Sequence, residues 1–277
     1  MKKEIKLIAT DLDRTLLDSE HRLPEKNLQA IKRCIENGIE VVIATGRVLP
    51  SIPEQVRGIE GIRYYITANG AKVWDVADGI ELYSRYLSPE AFESIVPLID
   101  DATHMVEIFT GDKPYISRAA YDDPISFGIP EWFEPYIKAT RTPVEDFKAF
   151  GREHYDSIEN INFIFKDDEG EQYFRDRLTR TDLYALTQSF AFNFEIGGKG
   201  VSKAAALELI CSRVGVDPKH TMTFGDNLND VSMIEFAGVG VAVSNAVPEA
   251  RAAADYVTAA SEDGGVADAI NKFIFGE

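Results

Sequence analysis

The sequence predicts an α/β protein carrying an inserted α+β domain, and three features of the 277-residue chain support that prediction. The opening of the chain reads strand, loop, helix, strand. Its end repeats that order. The stretch between them breaks it with clustered aromatics and alternating polar and apolar residues. A strand–helix–strand alternation selects a parallel sheet with right-handed crossovers, whereas alternation with period two suits strands covered on one face.

Taken in order, Ile5–Thr10 is a short β-rich run. Pro24 starts a helical pattern in which Leu28, Ile31 and Ile35 recur on one face, and Gly38 stands where a C-terminal cap belongs. In GIEVVIAT, Ile39 and Val41–Ala44 are apolar around a single Glu40, which suits a strand buried on both faces. Towards the end, Ser202 can cap a helix bearing Ala206, Leu209, Ile210 and Val214, with Gly215 stopping it. Strands are expected at Thr221–Phe224 and Gly238–Val243, and a last one at Ala253–Thr258. Helices are expected at Asp230–Ala237 and Ala267–Phe275. Between Tyr83 and Phe194, Trp132, Phe133, Tyr136, Tyr155, Phe163 and Phe165 cluster, and NINFIF reads as a half-buried strand. Aromatics such as Trp132 and Phe133 are read as core, with stacking on a sugar ring as the alternative. No repeat or low-complexity tract appears. The expected organisation is a core domain of residues 1–83 and 195–277 around an inserted domain of residues 84–194.

Composition narrows the functional classes. An apolar fraction of 45% is ordinary for a globular protein, and no apolar run approaches the roughly 20 residues of a membrane span. MKKEIKLIAT lacks the apolar stretch of a signal peptide, so cytoplasmic residence without a membrane partner is expected. Cys34 and Cys211 fall in helical patterns and are expected to be buried, inert thiols. The formal net charge of −17 argues against nucleic acid as a partner, because such binding rests on Lys and Arg neutralising phosphates. A phosphorylated substrate is compatible with that charge if a divalent cation reverses the local field.

Four motifs fall at or just after the C-terminal ends of expected strands, the edge at which open α/β sheets bind ligands. DLDRTLL (Asp11–Leu17) places two carboxylates two residues apart, which is costly near a buried strand unless they serve a cation or the chemistry. A carboxylate such as Asp11 can attack phosphorus, and Asp13 can act as general acid and base. ATGR (Ala44–Arg47) offers a Thr45 hydroxyl and a Gly46 N–H to a phosphoryl oxygen. In GGKGVSKAAAL, Lys199 and Lys203 compete to balance the negative charge; Lys203 lies in a helix's first turn, slightly against the dipole. GDNLND (Gly225–Asp230) supplies hard oxygen ligands of the kind Mg²⁺ prefers. An ordinary polar turn would explain any one of these motifs but explains the set poorly.

Together the motifs resemble the haloacid dehalogenase superfamily of phosphohydrolases, specifically its Cof-type branch. The likeness covers residues 5–75 and 194–272, including TANGA (Thr67–Ala71) and VAVSNAVPEARAAADYVT. It implies a Rossmann-like parallel-sheet core with a C2-type α+β cap. Asp11 would be the nucleophile, Asp13 the acid/base, and Thr45 with Gly46 the phosphoryl holders. The lysine would be Lys203, whose GVSKAAAL context matches better than GGKG. Mg²⁺ would be bound by the Asp11 carboxylate, the Asp13 main-chain carbonyl and Asp226, while Asn229 and Asp230 orient neighbouring groups and Arg47 and Asn69 face the leaving group. The implied activity is hydrolysis of a small phosphorylated metabolite, a sugar phosphate being the favoured class, through an aspartyl-phosphate under a closing cap. Arg14 departs from the family, which usually has Gly there. Arginine is harder to fit if that position needs a positive φ, and its guanidinium would lie on the surface or reach the leaving group. Three rival readings remain: a phosphomutase or other phosphotransferase, a non-catalytic phosphometabolite-binding protein, and a phosphoaspartate receiver domain, which length and GDNLND disfavour.

Overall fold

A computed structural model describes residues 3–100, 104–178, 180–190 and 192–277. The chain forms two compact units, one running up to Ser84 and resuming over Ser202–Glu277, the other comprising Arg85–Val201. The first unit supplies β1 (Leu7–Thr10), β2 (Glu40–Ala44), β3 (Tyr64–Thr67), β4 (Lys72–Asp75) and β5 (Ile80–Ser84). The second supplies β6 (His104–Thr110), β7 (Lys113–Ser117), β8 (Thr142–Val144), β9 (Ile158–Phe165), β10 (Tyr184–Thr187) and β11 (Asn193–Gly198). The chain then returns with β12 (Thr221–Gly225), β13 (Val239–Ala242) and β14 (Tyr256–Val257).

The first unit is an eight-stranded sheet ordered β14-β13-β12-β1-β2-β3-β4-β5. Its strands are parallel from β14 to β3, and β4 and β5 add an antiparallel edge. Helices cover both faces. Ile31 from the helix Glu25–Glu36 and Val266 from Gly265–Ile270 pack with Ile8, Val41 and Phe224 on one side. Leu207 and Ile210 from the helix Lys203–Val214 pack with Leu7, Ala9 and Val42 on the other. A strand covered on both faces must be apolar throughout, and all four residues of β1 are buried accordingly. The expected helix signals operate locally. Pro24 precedes Glu25–Glu36, and Gly38 follows it at φ 75°. The Ser202 hydroxyl accepts the Ala205 N–H at 3.1 Å, and Gly215 turns left-handed at φ 70°. Because β12, β1 and β2 are adjacent and parallel, the loops after Gly225, Thr10 and Ala44 leave the same sheet edge.

The expected last strand is shorter than predicted. Pro248 opens a helix that runs to Ala253, so only Tyr256–Val257 pairs with β13.

The second unit is a six-stranded sheet ordered β10-β11-β9-β6-β7-β8, with two apolar clusters made from its own residues. Position 194/195, where the sequence suggests the insertion's end, lies inside β11, which pairs with β9 and β10. The stretch NINFIF, expected to be half-buried, belongs to a strand buried along its whole length. Ile161, Phe163 and Phe165 enter one apolar cluster. On the opposite face Asn162 donates to the Glu107 carboxylate at 2.9 Å and accepts from Asn193 at 3.0 Å. At Asn162 the polar side chain marks partnered burial rather than a wet face. Trp132, read as core, is instead 76% exposed. Both cysteines are buried as expected. Among the described residues no helix is long and apolar enough to cross a membrane.

Candidate active site

Asp11 is the first residue beyond β1, and its N–H still donates to the Phe224 carbonyl at 3.0 Å. The chain then curls through one wide helical turn, closed by Leu16 N–H to Asp11 O at 3.3 Å and Leu17 N–H to Leu12 O at 2.8 Å. That turn requires Arg14 at φ 60°, in the left-handed region that disfavours a side chain. The Arg14 carbonyl accepts the Asn245 amide at 2.8 Å, and the side chain is solvent-exposed. The turn leaves Asp11 nearly buried and buries Thr15, whose hydroxyl donates to Asp226 Oδ1 at 3.0 Å.

Lys203 stands between two carboxylates. Its fully buried ammonium donates to Asp11 Oδ1 and Asp230 Oδ1, each at 2.6 Å. Asp230 Oδ2 accepts the N–H groups of Asp226 and Asn227 at 2.9 and 3.1 Å. Two glycines permit these approaches. A Cβ on Gly225 would lie 2.3 Å from the Asp230 Cβ, and one on Gly70 would lie 2.2 Å from the Ser202 carbonyl. Gly70, at φ 102°, therefore lets the start of the helix Lys203–Val214 meet the Ala68–Gly70 turn, which carries Lys203 inward. The competing Lys199 is exposed, in the other unit.

Ligand oxygens of Asp11, Asp226 and Asp230 lie within 4.8 Å of one another. Both Asp230 oxygens are already engaged, whereas among the described residues the hydrogen bonds to Asp11 and Asp226 fall on their Oδ1 atoms and leave Oδ2 open. Burial, reinforced by the Asp230 charge, pushes the Asp226 carboxyl up to about 7 against the lowering pull of Thr15 and Lys203. Burial likewise raises Asp11, and although Lys203 opposes this, the neighbouring Asp230 and Asp226 add to the rise. Burial alone would lower the Lys203 ammonium; the charges of Asp11 and Asp230 outweigh it and hold the pKa above its ordinary value. Three buried carboxylates facing one ammonium leave excess negative charge, and a hard divalent cation fits that donor set.

The second and third loops supply donors. Thr45 is buried just past β2, and its hydroxyl accepts the Arg47 N–H at 3.1 Å. Its carbonyl accepts the Asn69 N–H at 3.1 Å, which joins the ATGR turn to TANGA. Asn69 takes φ 57°, and its Oδ1 accepts from Asn229 Nδ2 at 3.0 Å and lies against Gly46. Asn229 Oδ1 is buried without a hydrogen-bond partner among the described residues.

Asp13 and Arg47 are arranged differently from expectation. Arg47, anticipated at the leaving group, forms a bidentate pair with Asp13, Nε to Oδ2 at 2.7 Å and Nη2 to Oδ1 at 2.6 Å. His21 Nδ1 adds a contact to Asp13 Oδ1 at 2.9 Å. Burial would raise the Asp13 carboxyl, but the Arg47 and His21 hydrogen bonds hold it well below the usual carboxylate range. In this arrangement Asp13 is an ion-paired carboxylate. His21 and Thr15 escaped the sequence reading. Thr15 lies within the DLDRTLL motif and was available to it; nothing in the sequence singles out His21.

Comparison with known proteins agrees with the geometry. The family model described as haloacid dehalogenase-like hydrolase matches residues 8–270. A 5-amino-6-(5-phospho-D-ribitylamino)uracil phosphatase of Bacillus subtilis is 29% identical over 272 residues, covering 98% of this chain and 96% of that protein. Among solved structures, a haloacid dehalogenase-like hydrolase from B. subtilis is 26% identical with a TM-score of 0.81, covering 96% of this chain and 99% of that one. A subclass IIB sugar phosphatase shares the fold, with a TM-score of 0.80 at 22% identity and coverage of 96% and 98%. The expectation of a Rossmann-like α/β enzyme of phosphatase type agrees with these matches. With the model spanning nearly all of it, the chain belongs to the haloacid dehalogenase-like hydrolase family.

Proposed function

We propose that the chain is a Mg²⁺-dependent phosphatase of small phosphorylated metabolites, sugar phosphates being the favoured class, and that Asp11 is its nucleophile. The observation carrying this reading is the buried Asp11–Lys203–Asp230 array beside Asp226 at the end of β1. An acidic turn that merely caps a helix has no use for a fully buried lysine shared by two carboxylates. Names of relatives such as the phosphoribitylaminouracil phosphatase and the subclass IIB sugar phosphatase support the substrate class.

In the proposed reaction an Asp11 oxygen bonds to phosphorus as the bond to the leaving oxygen breaks, and Asp13 gives its proton to that oxygen. Water then attacks the aspartyl-phosphate and its proton passes to Asp13. The Asp11–phosphorus bond breaks and inorganic phosphate departs. Lys203 keeps Asp11 oriented and offsets part of its charge. The Thr45 hydroxyl, the Gly46 N–H and the Asn229 amide are the groups assigned to the phosphoryl oxygens. Asp11 and Asp226, with the Asp13 carbonyl, would hold Mg²⁺. The ion supplies charge neutralisation between the nucleophile and the phosphate.

The test is phosphate release from sugar phosphates and p-nitrophenyl phosphate, with Mg²⁺ and with chelator, beside Asp11→Asn. Turnover should need the metal and fall by about 10³-fold or more in the variant, as expected for loss of a covalent nucleophile. Undiminished turnover by Asp11→Asn would overturn the assignment. Transfer of phosphate to a second sugar without net release would instead identify a phosphotransferase.

A further inference from the structure

The Asp13 carboxylate is contacted unequally on its two oxygens. Oδ1 receives His21 Nδ1 at 2.9 Å and Arg47 Nη2 at 2.6 Å, whereas Oδ2 receives Arg47 Nε at 2.7 Å. An ionised carboxylate only accepts, so the contact with Asp13 needs a protonated His21 Nδ1, and the 3.4 Å separation of Nδ1 from Arg47 Nη2 is then a contact between two donors. The position of His21 costs backbone strain. It sits at φ 59°, a region that residues bearing side chains rarely occupy.

Several bonds hold it there. Asp18 N–H donates to the Arg22 carbonyl at 2.9 Å, and His21 N–H donates to the Asp18 carbonyl at 3.1 Å. Asp18 Oδ1 accepts the N–H groups of Glu20 and Arg22 at 2.9 and 2.8 Å. From outside the turn, Gln55 donates its amide to the His21 carbonyl at 2.6 Å and accepts the Leu23 N–H at 3.1 Å. A strained residue fixed this firmly, with its ring on an acid/base candidate, fits the pattern of strain stored at functional sites.

We propose that His21 is the positioning residue for Asp13, holding Oδ1 so that Oδ2 carries the proton to the leaving oxygen and later takes one from water. The inference rests on the phosphatase reading above. While Arg47 pairs with both oxygens, its charge favours the ionised carboxylate over the protonated one. Once Oδ2 comes away from Arg47, His21 keeps Oδ1 in place and stops the carboxyl from rotating out of line. The ring acts through Asp13 and touches no reacting atom itself, as the third member of an oriented acid–base array does.

The choice of variants follows from the nitrogen used. The side-chain amide of Asn overlays Nδ1, and Asn tolerates a positive φ. The longer Gln amide overlays Nε2. His21→Ala, His21→Asn and His21→Gln are therefore compared with the wild type in Mg²⁺, measuring kcat/KM for p-nitrophenyl phosphate and for an alkyl ester such as glycerol phosphate. This constant ends at ester cleavage. The nitrophenolate departs without a proton, whereas the alkoxide needs one. His21→Ala should lose about tenfold or more on the alkyl ester beyond any loss on the aryl ester. His21→Asn should recover that difference and His21→Gln should not. An unfolded fraction lowers both constants equally and leaves their ratio unchanged. Equal losses on the two esters, no loss, or equal rescue by Gln and Asn would overturn the inference while leaving the phosphatase reading intact. A wild type that cleaves neither ester nor any sugar phosphate would overturn the phosphatase reading, and the inference with it.

Discussion

At the scale of single residues, chemistry and backbone strain meet in the turn after β1. Arg14 occupies φ 60° where glycine would be at ease, and its exposed guanidinium forms no ion pair among the described residues. A left-handed residue with a side chain costs roughly 1–2 kcal/mol, partly offset by the freedom glycine restores to the unfolded chain. Arg14→Gly should therefore stabilise the protein by about 0.5–1 kcal/mol, read as a higher denaturant midpoint at an unchanged slope. A lower midpoint would show that the arginine makes a contribution outweighing its strain. The same turn carries Thr15, whose bond to Asp226 joins the first and fourth motifs.

At the scale of elements, the site depends on how closely one helix start approaches a neighbouring turn. Lys203 reaches Asp11 because the first residue before its helix, Ser202, lies against Gly70 without a side chain between them. Gly70→Ala would force a carbon to within 2.2 Å of the Ser202 carbonyl at a backbone φ of 102°. Since both partners are backbone, relief requires the helix start to move. The expected cost is about 2–3 kcal/mol. Turnover of the folded fraction should fall as well, because a displacement of 1 Å at a catalytic group costs about 100-fold. Thermal denaturation and kinetics on the same preparation check both effects. Destabilisation with unchanged kcat would show that Lys203 does not depend on this approach.

For the whole molecule, charge and chain organisation each make a prediction. Asp226 sits near 7 in the folded state, above its ordinary carboxylate value. A group raised on folding stabilises fully below its unfolded pKa and loses that contribution as pH rises through its folded pKa. Asp13, held low, acts oppositely and loses its contribution as pH falls below the carboxylate range. The metal-free protein should therefore melt highest at about pH 4 and lose stability progressively as pH rises from there to about 7. Mg²⁺ competes with the proton on Asp226, so it should raise the melting temperature more at pH 8 than at pH 5. A pH-independent effect of Mg²⁺ on melting would remove Asp226 from the proposed ligand set. The second unit is one continuous segment, Arg85–Val201, with apolar clusters formed from its own residues. Expressed alone it should fold cooperatively, with amide protection along β6 and β9. A molten fragment would show that its stability depends on the rest of the chain.

By itself the sequence determined the strand–helix–strand core, because buried parallel strands such as LIAT and VVIA must be apolar throughout and their helices carry local stop and start signals. It also brought out residues that gather at one sheet edge, since Asp11, Thr45, Lys203 and Asp226 each sit at the boundary of a recognisable element. What it left open depends on contacts between residues far apart in the chain. Choosing Lys203 over Lys199 by geometry, and not by resemblance, needed the helix start to be seen against Asp11 and Asp230. The buried Asn162 looked solvent-facing because its partners, Glu107 and Asn193, lie on other strands. Arg47 looked free for substrate until its pairing with Asp13, 34 positions away, was visible. Periodicity and caps act within a few residues and are written locally, whereas hydrogen-bond partners and close backbone approaches arise only when the sheet brings its loops to one edge.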